Sequence, residues 1–214
     1  RRHAGMSAPR DRATTATPAS PGFTSRQLVL LLVLTALACL VRTWRLGELP
    51  PGLNQDEAIS AWIARTLGQM GVDSMGKPWP LFYTRGIGDF PTMLFFDLLV
   101  PVQKLLGLSV WSTRLPGAIA GTLAVPLLAW LVARLSRPSV GLAAAALLVL
   151  QPWAVFVSRF GVGSSLCSLQ MLVPLACLVL ARFPLRDGED GEPRAGWALL
   201  AGLTAGLACH GYHP

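Results

Sequence analysis

The chain has 214 residues, of which 52% are apolar and only 14% are charged, and its formal net charge is +7. A soluble domain usually has about 25% charged residues, so this deficit indicates a protein that crosses a membrane several times. The positive charge could suit a nucleic acid, but no basic stripe with interleaved aromatic residues is present. The positive residues instead stand between apolar segments. We therefore expect membrane lipids as partners and no nucleic acid.

The first segment, residues 1–26, is a basic tail rich in Arg, Ala, Thr, Ser and Pro, a composition that predicts disorder. The apolar run Gln27–Val41 predicts a transmembrane helix, with Arg42 and Arg45 snorkelling to the polar boundary at its outer end. A cleaved signal peptide is the alternative, but the apolar run passes the only faint processing site and further apolar segments follow. The chain thus divides into the tail and a membrane domain over residues 27–214.

Residues 46–110 form a long loop that begins with a predicted amphipathic helix. Pro50–Pro51 stops any helix that leaves the first span. Asn54 can cap the next helix, Glu57 completes a capping box with it, and Gly71 ends the helix. Such a helix is expected to lie along the membrane interface.

A second interfacial helix is predicted to begin at Pro91 and to end before Gly107, and four apolar segments follow it. Each segment has close to the roughly 20 residues that a bilayer requires, and none contains Asp, Glu, Lys or Arg. The sequence therefore predicts an all-α integral membrane protein with about five transmembrane helices and two interfacial helices in the first loop. The four later segments run between Arg114 and Arg134, from Pro138 to Val157, from Ser164 to Ala181, and from Ala195 to Gly211.

The arginines predict the orientation in the cell membrane. The tail and the two segments placed inside are rich in arginine, whereas the short turn placed outside carries only Arg159. The N-terminus is therefore expected in the cytoplasm and the loop 46–110 outside.

The pair Asp56-Glu57 stands in the first turn of the first loop helix. Acidic residues there stabilise the positive end of the helix dipole and need no further role. A carboxylate in an external loop can also act as a general base. The residues of this helix alone do not decide between the two interpretations.

Four motifs in this order and topology give the chain a resemblance to a known group of enzymes. The chain resembles the N-terminal half of GT-C superfamily glycosyltransferases, in the bacterial branch related to protein O-mannosyltransferases and lipid A aminoarabinose transferases, over about residues 27–214. The motifs are Leu49–Ala58, Gly71–Pro80, Gly107–Pro116 with Gly121, and Gln151–Gly161.

The resemblance implies transfer of a sugar from a polyprenyl-phosphate donor to a lipid, glycan or protein acceptor at the outer face. It implies that Asp56 is the general base and that Glu57 orients the loop or a ligand. Some members use a divalent cation, Mg²⁺ or Mn²⁺, and others use none. Part of the donor site of the family lies in a later loop, so residues 1–214 alone are expected to be inactive.

One departure limits what the resemblance implies about the substrate. The aminoarabinose transferases have a Lys-Pro-Pro element where this chain reads Gly88-Asp-Phe-Pro91. The sugar and the acceptor of that subfamily are therefore not transferred to this chain. The charge that faces the donor phosphate is left to Lys77, Arg85 or Arg159.

Several alternatives remain open from the sequence. Asp89 either faces the site or caps the helix that follows it. Arg114 and Arg159 either bind phosphate or anchor their helices at the membrane boundary. A transporter or flippase subunit, or an inactive glycosyltransferase-like scaffold, is the alternative function, and a transporter is expected to have broken helices or ionisable groups within the membrane.

Overall fold

A computed structural model describes residues 22–73, 75–84, 91–182 and 194–210. These residues contain helices and isolated β-bridges but no strand, so the predicted all-α class is confirmed. A 3-10 turn, Gly163–Leu166, precedes the seventh helix. The helices are α1 Ser25–Thr43, α2 Gln55–Met70, α3 Met93–Leu106, α4 Val110–Leu135, α5 Pro138–Leu150, α6 Pro152–Ser158, α7 Cys167–Leu180 and α8 Ala195–Cys209.

Within the described residues, three helical segments are long and apolar enough to cross a membrane: α1, α4 and the stretch Gly163–Leu180 that includes α7. The pair α5 and α6 makes a fourth span if it is counted as one bent unit. The fifth predicted span corresponds to α8, an apolar helix of 15 described residues. The chain is therefore a multi-pass membrane protein.

The bend between α5 and α6 measures 64° and has a local cause. Pro152 cannot donate a backbone hydrogen bond and clashes with the preceding turn, so α5 ends before it. Gln151 accepts a hydrogen bond from the N–H of Ala154 and caps α6, which begins with the proline. The sequence predicted one continuous span here, and the structure shows two helices.

Helix α4 is the centre of the bundle, because α1, α5 and α7 all pack against it. Small residues allow the close approach, as is common between membrane helices. A Cβ on Gly141 of α5 would lie only 2.3 Å from the carbonyl oxygen of Ala129 in α4. The α4–α5 contact therefore depends on this glycine.

Helices α2 and α3 pack on each other and on α4 through a shared apolar core that includes Ile63, Leu67 and Phe95. The predicted ends of α2 are confirmed: Asn54 and Glu57 form the capping box, and Gly71 closes the helix in the left-handed conformation with φ of 71°. The pair of helices lies beside the end of the bundle at which α1 ends and α4 begins.

The predicted start of α3 at Pro91 is wrong by two residues. Thr92 pairs with Tyr83 in an isolated antiparallel bridge, and the N–H of Thr84 donates to the carbonyl of Pro91. These contacts keep residues 91–92 extended, so the helix begins at Met93.

Candidate active site

The site is built around the segment that links α1 to α2, residues 44–54. This segment lies between two helices, so many of its carbonyl groups have no helical N–H group to accept a hydrogen bond from. Buried arginines from other helices supply the missing donors, since a buried unpaired carbonyl is unfavourable. The segment is thereby fixed to the end of the helical bundle.

Arg114, in the second turn of α4, makes the most of these bonds and is fully buried. Its Nη1 donates to the carbonyls of Leu46 and Pro50, at 3.1 and 2.9 Å, and its Nη2 donates to Gly52 at 2.6 Å. Its Nε and Nη2 also donate to the two carboxylate oxygens of Glu57, at 2.7 and 2.9 Å. A guanidinium has five N–H donors, and these bonds use all five. Arg114 therefore has no donor left for a phosphate in this arrangement.

Glu57 is the counter-charge of Arg114, and it is as fully buried as its partner. Its Oε1 also accepts the N–H of Gly161, at 2.8 Å, and its Oε2 accepts the N–H of Asn54, at 3.2 Å. The same carboxylate therefore caps α2, balances the charge of Arg114 in α4 and binds the loop after α6 through Gly161. In this position Glu57 holds the first turn of α2 against α4 and the loop after α6, and its side chain is not accessible to solvent.

The pKa of Glu57 is lowered by this arrangement. Burial alone would raise the pKa of a carboxyl group, because it disfavours the charged form. The hydrogen bonds from Arg114 and from the N–H groups of Gly161 and Asn54 outweigh burial and hold the pKa below its ordinary value. Glu57 is therefore ionised at neutral pH.

Asp56 precedes Glu57 and has the opposite environment, since its side chain is exposed to solvent. Its backbone belongs to the first turn of α2, which the capping box and the Glu57–Arg114 pair hold in place. An exposed carboxylate on a rigid turn can accept a proton from a bound hydroxyl group within hydrogen-bond reach.

Arg159 follows α6 and is buried, with 8% of its surface exposed. Its Nη1 donates to Val41 at 2.5 Å, and its Nη2 donates to Trp44 and Leu49 at 2.7 and 2.9 Å. These bonds to described residues use three of its five donors. Arg159 therefore links the end of α1 to α6, and two of its N–H donors are not engaged by described residues.

An apolar groove of about 650 Å³ lies next to Arg159, between α1 and the bent pair α5–α6. Leu49 and Pro50, which precede Asp56 in the chain, form part of its wall. Its remaining lining is aliphatic or aromatic and includes Val41, Val155 and Phe156. The groove can accommodate a hydrocarbon chain beside a cation.

Arg42 was predicted to snorkel to the polar boundary, and that prediction is wrong. Its side chain is 1% exposed and points into the bundle, where it donates to the carbonyls of Ala38 and Leu148 at 3.4 Å each. Gly121 makes room for it, since a Cβ there would lie 2.8 Å from Nε. Among the described residues, that Nε has no hydrogen-bond partner.

Lys77 lies in the loop after α2, which folds back onto the end of that helix through the bond from the N–H of Trp79 to the carbonyl of Gly71. Its ammonium group is exposed and lies 5.9 Å from the ring centre of Tyr83. Since α2 has 16 residues and rises about 1.5 Å per residue, roughly 20 Å of helix separates this loop from Asp56. The structure thus places Lys77 at the far end of α2.

Asp73 organises the Lys77 loop, and the sequence analysis gave it no role. Its carboxylate accepts the backbone N–H groups of Met75 and Lys77 and the hydroxyl of Thr84, each within 2.9 Å. Burial would raise the pKa of Asp73, but these hydrogen bonds outweigh burial and lower it.

Two predicted site residues, Arg85 and Asp89, lie outside the described residues. A set of three His, Cys, Asp or Glu side chains that could hold a metal ion is absent from the described ranges.

The fold and the site define the class of protein: a multi-pass helical membrane protein with an exposed acid in the first turn of a helix that a buried ion pair fixes. The chain belongs to the family of dolichyl-phosphate-mannose-protein mannosyltransferases, whose sequence model matches residues 32–210. This family is a branch of the GT-C glycosyltransferases, so the resemblance drawn from the motifs is confirmed. Neither a curated protein nor a solved structure matches the chain.

Proposed function

We propose that this chain activates the acceptor in a membrane glycosyltransferase that moves a sugar from a polyprenyl-phosphate donor to a lipid, glycan or protein. We place the N-terminus in the cytoplasm of the cell and the loop 46–110 outside the cell membrane. The observation that carries the proposal is the exposed Asp56 carboxylate, one residue from the buried Glu57–Arg114 pair. Family membership supports the reaction class.

In the proposed step, Asp56 accepts the proton of an acceptor hydroxyl while that oxygen attacks the anomeric carbon of the donor sugar. The bond from the anomeric carbon to the phosphate oxygen breaks, and the electron pair leaves with the polyprenyl phosphate. A phosphate leaving group needs positive charge more than a strong acid. The two donors of Arg159 not engaged by described residues can supply it, and the apolar groove beside them suits the polyprenyl chain.

Glu57 takes a positioning role in this mechanism. Because it is buried and bonded to Arg114, Gly161 and Asn54, its oxygens are engaged by the protein. It holds the first turn of α2 against α4, so that Asp56 has one defined position. Because the base is already held in position, less entropy is lost when the transition state forms.

The test uses membranes that contain the full-length protein and a radiolabelled polyprenyl-phosphate sugar. Asp56→Asn keeps the size of the side chain but removes the base, and transfer should fall by about 10²–10⁴-fold. Glu48→Gln is the matched control, because Glu48 is also an exposed carboxylate, lies in the segment just before α2 and pairs locally with Arg45. Parallel reactions with and without a chelator report any need for Mg²⁺ or Mn²⁺, and residues 1–214 alone should show no transfer.

A transporter or flippase subunit is the second candidate, and two observations favour it. The span α5–α6 is broken, and Arg42 is a buried cation inside α1. Both features are common along transport pathways. If the wild-type protein transfers no sugar but moves the donor lipid across a vesicle membrane, this function replaces the first. If the wild type transfers sugar and Asp56→Asn is unimpaired, Asp56 only stabilises the positive end of the α2 dipole and the base lies elsewhere.

A further inference from the structure

A polar cleft, distinct from the apolar groove beside Arg159, lies between α2 and α3 and away from Asp56. It encloses about 330 Å³ between the C-terminal halves of the two helices. Its lining includes two cations, Arg65 and Lys104, and two amides, Gln69 and Gln103. No carboxylate of a described residue lines it. The cleft therefore has the electrostatic character of an anion site.

Neither cation is neutralised within the part of the chain that the structure describes. The two ion pairs found there are Arg45–Glu48 and Glu57–Arg114. Arg65 and Lys104 are both exposed, and the stem of Lys104 crosses α2 with its Cε close to Gly68. Two exposed cations that line one cleft attract an anion, and the attraction weakens as the ionic strength rises.

Gln103 adds a polar group that lacks a partner. Its Nε2 donates to the carbonyl of Ala61 at 3.2 Å, which fixes the orientation of the amide. Its Oε1 is buried and, in the described ranges, accepts no hydrogen bond. That oxygen has almost no accessible surface, so Gln103 forms part of the wall of the cleft and does not contact a ligand within it.

The position of the cleft identifies the level of the membrane at which it lies. Gly107 and Leu108 line it, and the membrane-spanning helix α4 begins at Val110. Leu105 and Leu106, at the end of α3, are 84% and 53% exposed. A cleft with cations beside exposed leucines, at the point where the chain enters the bilayer, lies at the depth of lipid head groups.

We propose that this cleft binds the phosphate head group of an anionic phospholipid, for which phosphatidylglycerol is the probe. The phosphodiester lies between Arg65 and Lys104, and the acyl chains follow the exposed leucines. The ligand thereby joins α2 to α3 at the membrane surface.

The cleft is separate from the proposed active site. Arg65 follows Asp56 by nine residues, which at 100° per residue places the two on opposite sides of α2 and about 13 Å apart along its axis. The proposal is therefore independent of the proposed reaction, and it can be tested without measuring sugar transfer.

The experiment measures lipid binding to the full-length protein by native mass spectrometry in a mild detergent. Phosphatidylglycerol, phosphatidylcholine and soluble glycerol phosphate are titrated against the wild type and against Arg65→Gln/Lys104→Gln. Each basic residue near a membrane surface strengthens anionic-lipid binding by about fivefold, so the double variant should bind phosphatidylglycerol about thirtyfold more weakly. Phosphatidylcholine binding should be weak and equal in both proteins.

The matched control is Arg134→Gln/Arg137→Gln, which removes two exposed cations at the opposite end of α4. This variant should keep the tight phosphatidylglycerol site. The proposal is overturned if both double variants lose binding equally, because the effect is then one of net charge. It is also overturned if glycerol phosphate binds as tightly as the lipid, which would mean a site for a free anion. The thermal unfolding temperature without lipid checks that all variants are folded.

Discussion

Asp56 and Glu57 are neighbours in sequence with opposite environments. The side chain of Asp56 meets solvent, whereas Glu57 is buried against Arg114, Gly161 and Asn54. The order follows from the helix itself: the third residue of a first turn reaches back to the cap, and the second points elsewhere. The two acids can therefore be tested by separate mutations, and we propose that Asp56→Asn affects sugar transfer whereas Glu57→Gln affects stability.

Glu57→Gln should destabilise the protein strongly, because it leaves Arg114 buried without a counter-charge. Removal of one partner of a buried ion pair typically costs about 3–5 kcal/mol. The backbone N–H of residue 57 still donates to the Asn54 side chain, so this half of the capping box is kept, whereas the amide has one acceptor oxygen in place of the two that receive Arg114, Gly161 and Asn54. The free energy of unfolding in mixed detergent micelles measures it, with Asp56→Asn as the control that should stay within about 0.5 kcal/mol of the wild type. Equal stability of wild type and Glu57→Gln would contradict the structural role.

The stability of the protein should fall in acid. The pKa values of Glu57 and Asp73 are both lowered in the folded state. Their stabilisation is thus fully present above the unfolded-state pKa values, about 4.3 and 3.9, and is lost as the pH falls through the lower folded values. The unfolding temperature should be flat from pH 7 to about pH 5 and drop below about pH 4. In Glu57→Gln this acid-induced drop should be smaller, and an unchanged drop would show that other groups cause it.

Among the elements, the contact between α4 and α5 depends on backbone proximity rather than on side-chain bulk. The position of a Cβ on Gly141 is already occupied by the carbonyl of Ala129. Gly202 in α8 offers the contrasting case, because a Cβ there meets no atom of the described chain within 4 Å. Two glycines in apolar helices of one bundle therefore differ sharply in their tolerance to a methyl group.

Gly141→Ala should lower stability by about 1–3 kcal/mol, since α4 and α5 must move apart to admit the methyl group. Gly202→Ala should be neutral or slightly stabilising, because alanine favours the helical state over glycine. Unfolding of both variants in the same detergent gives the comparison. Similar losses in the two would mean that the α4–α5 distance does not limit stability.

In the whole molecule, the C-terminal ends of α1 and α6 and the N-terminal end of α4 lie at one side of the bundle. The proposed orientation can therefore be tested with one labelled position on each side. Met75 and Ser136 are exposed and lie at opposite ends of the topology. In a background without the four native cysteines, Met75→Cys should react with a membrane-impermeant thiol reagent in intact cells. Ser136→Cys should react only after the cells are permeabilised. The reverse pattern would place the loop 46–110 in the cytoplasm.

The features that sequence could predict are those encoded by near neighbours. Asn54 and Gly71 mark the two ends of α2 because caps act within a few residues. The ion pair of Glu57 with Arg114 spans 57 residues, and the bond from Gly161 spans 104. A single sequence does not specify such contacts, so the roles of Arg114, Gly161 and Asp73 became clear only from the structure. Arg42 misled for the opposite reason: a basic residue at a helix end is usually solvated, and here α5 covers it.

The arginine bonds to residues 41–52 also set an order of events during biosynthesis. The carbonyl of Leu46 accepts from Arg114, which is translated 68 residues later, and the carbonyl of Val41 accepts from Arg159, which is translated 118 residues later. At about 5–20 residues per second, these delays are roughly 3–14 and 6–24 seconds. Helix α1 thus enters the membrane well before its own end can be completed. The segment that precedes Asp56 can therefore acquire its final shape only after Arg114 and Arg159 have been translated.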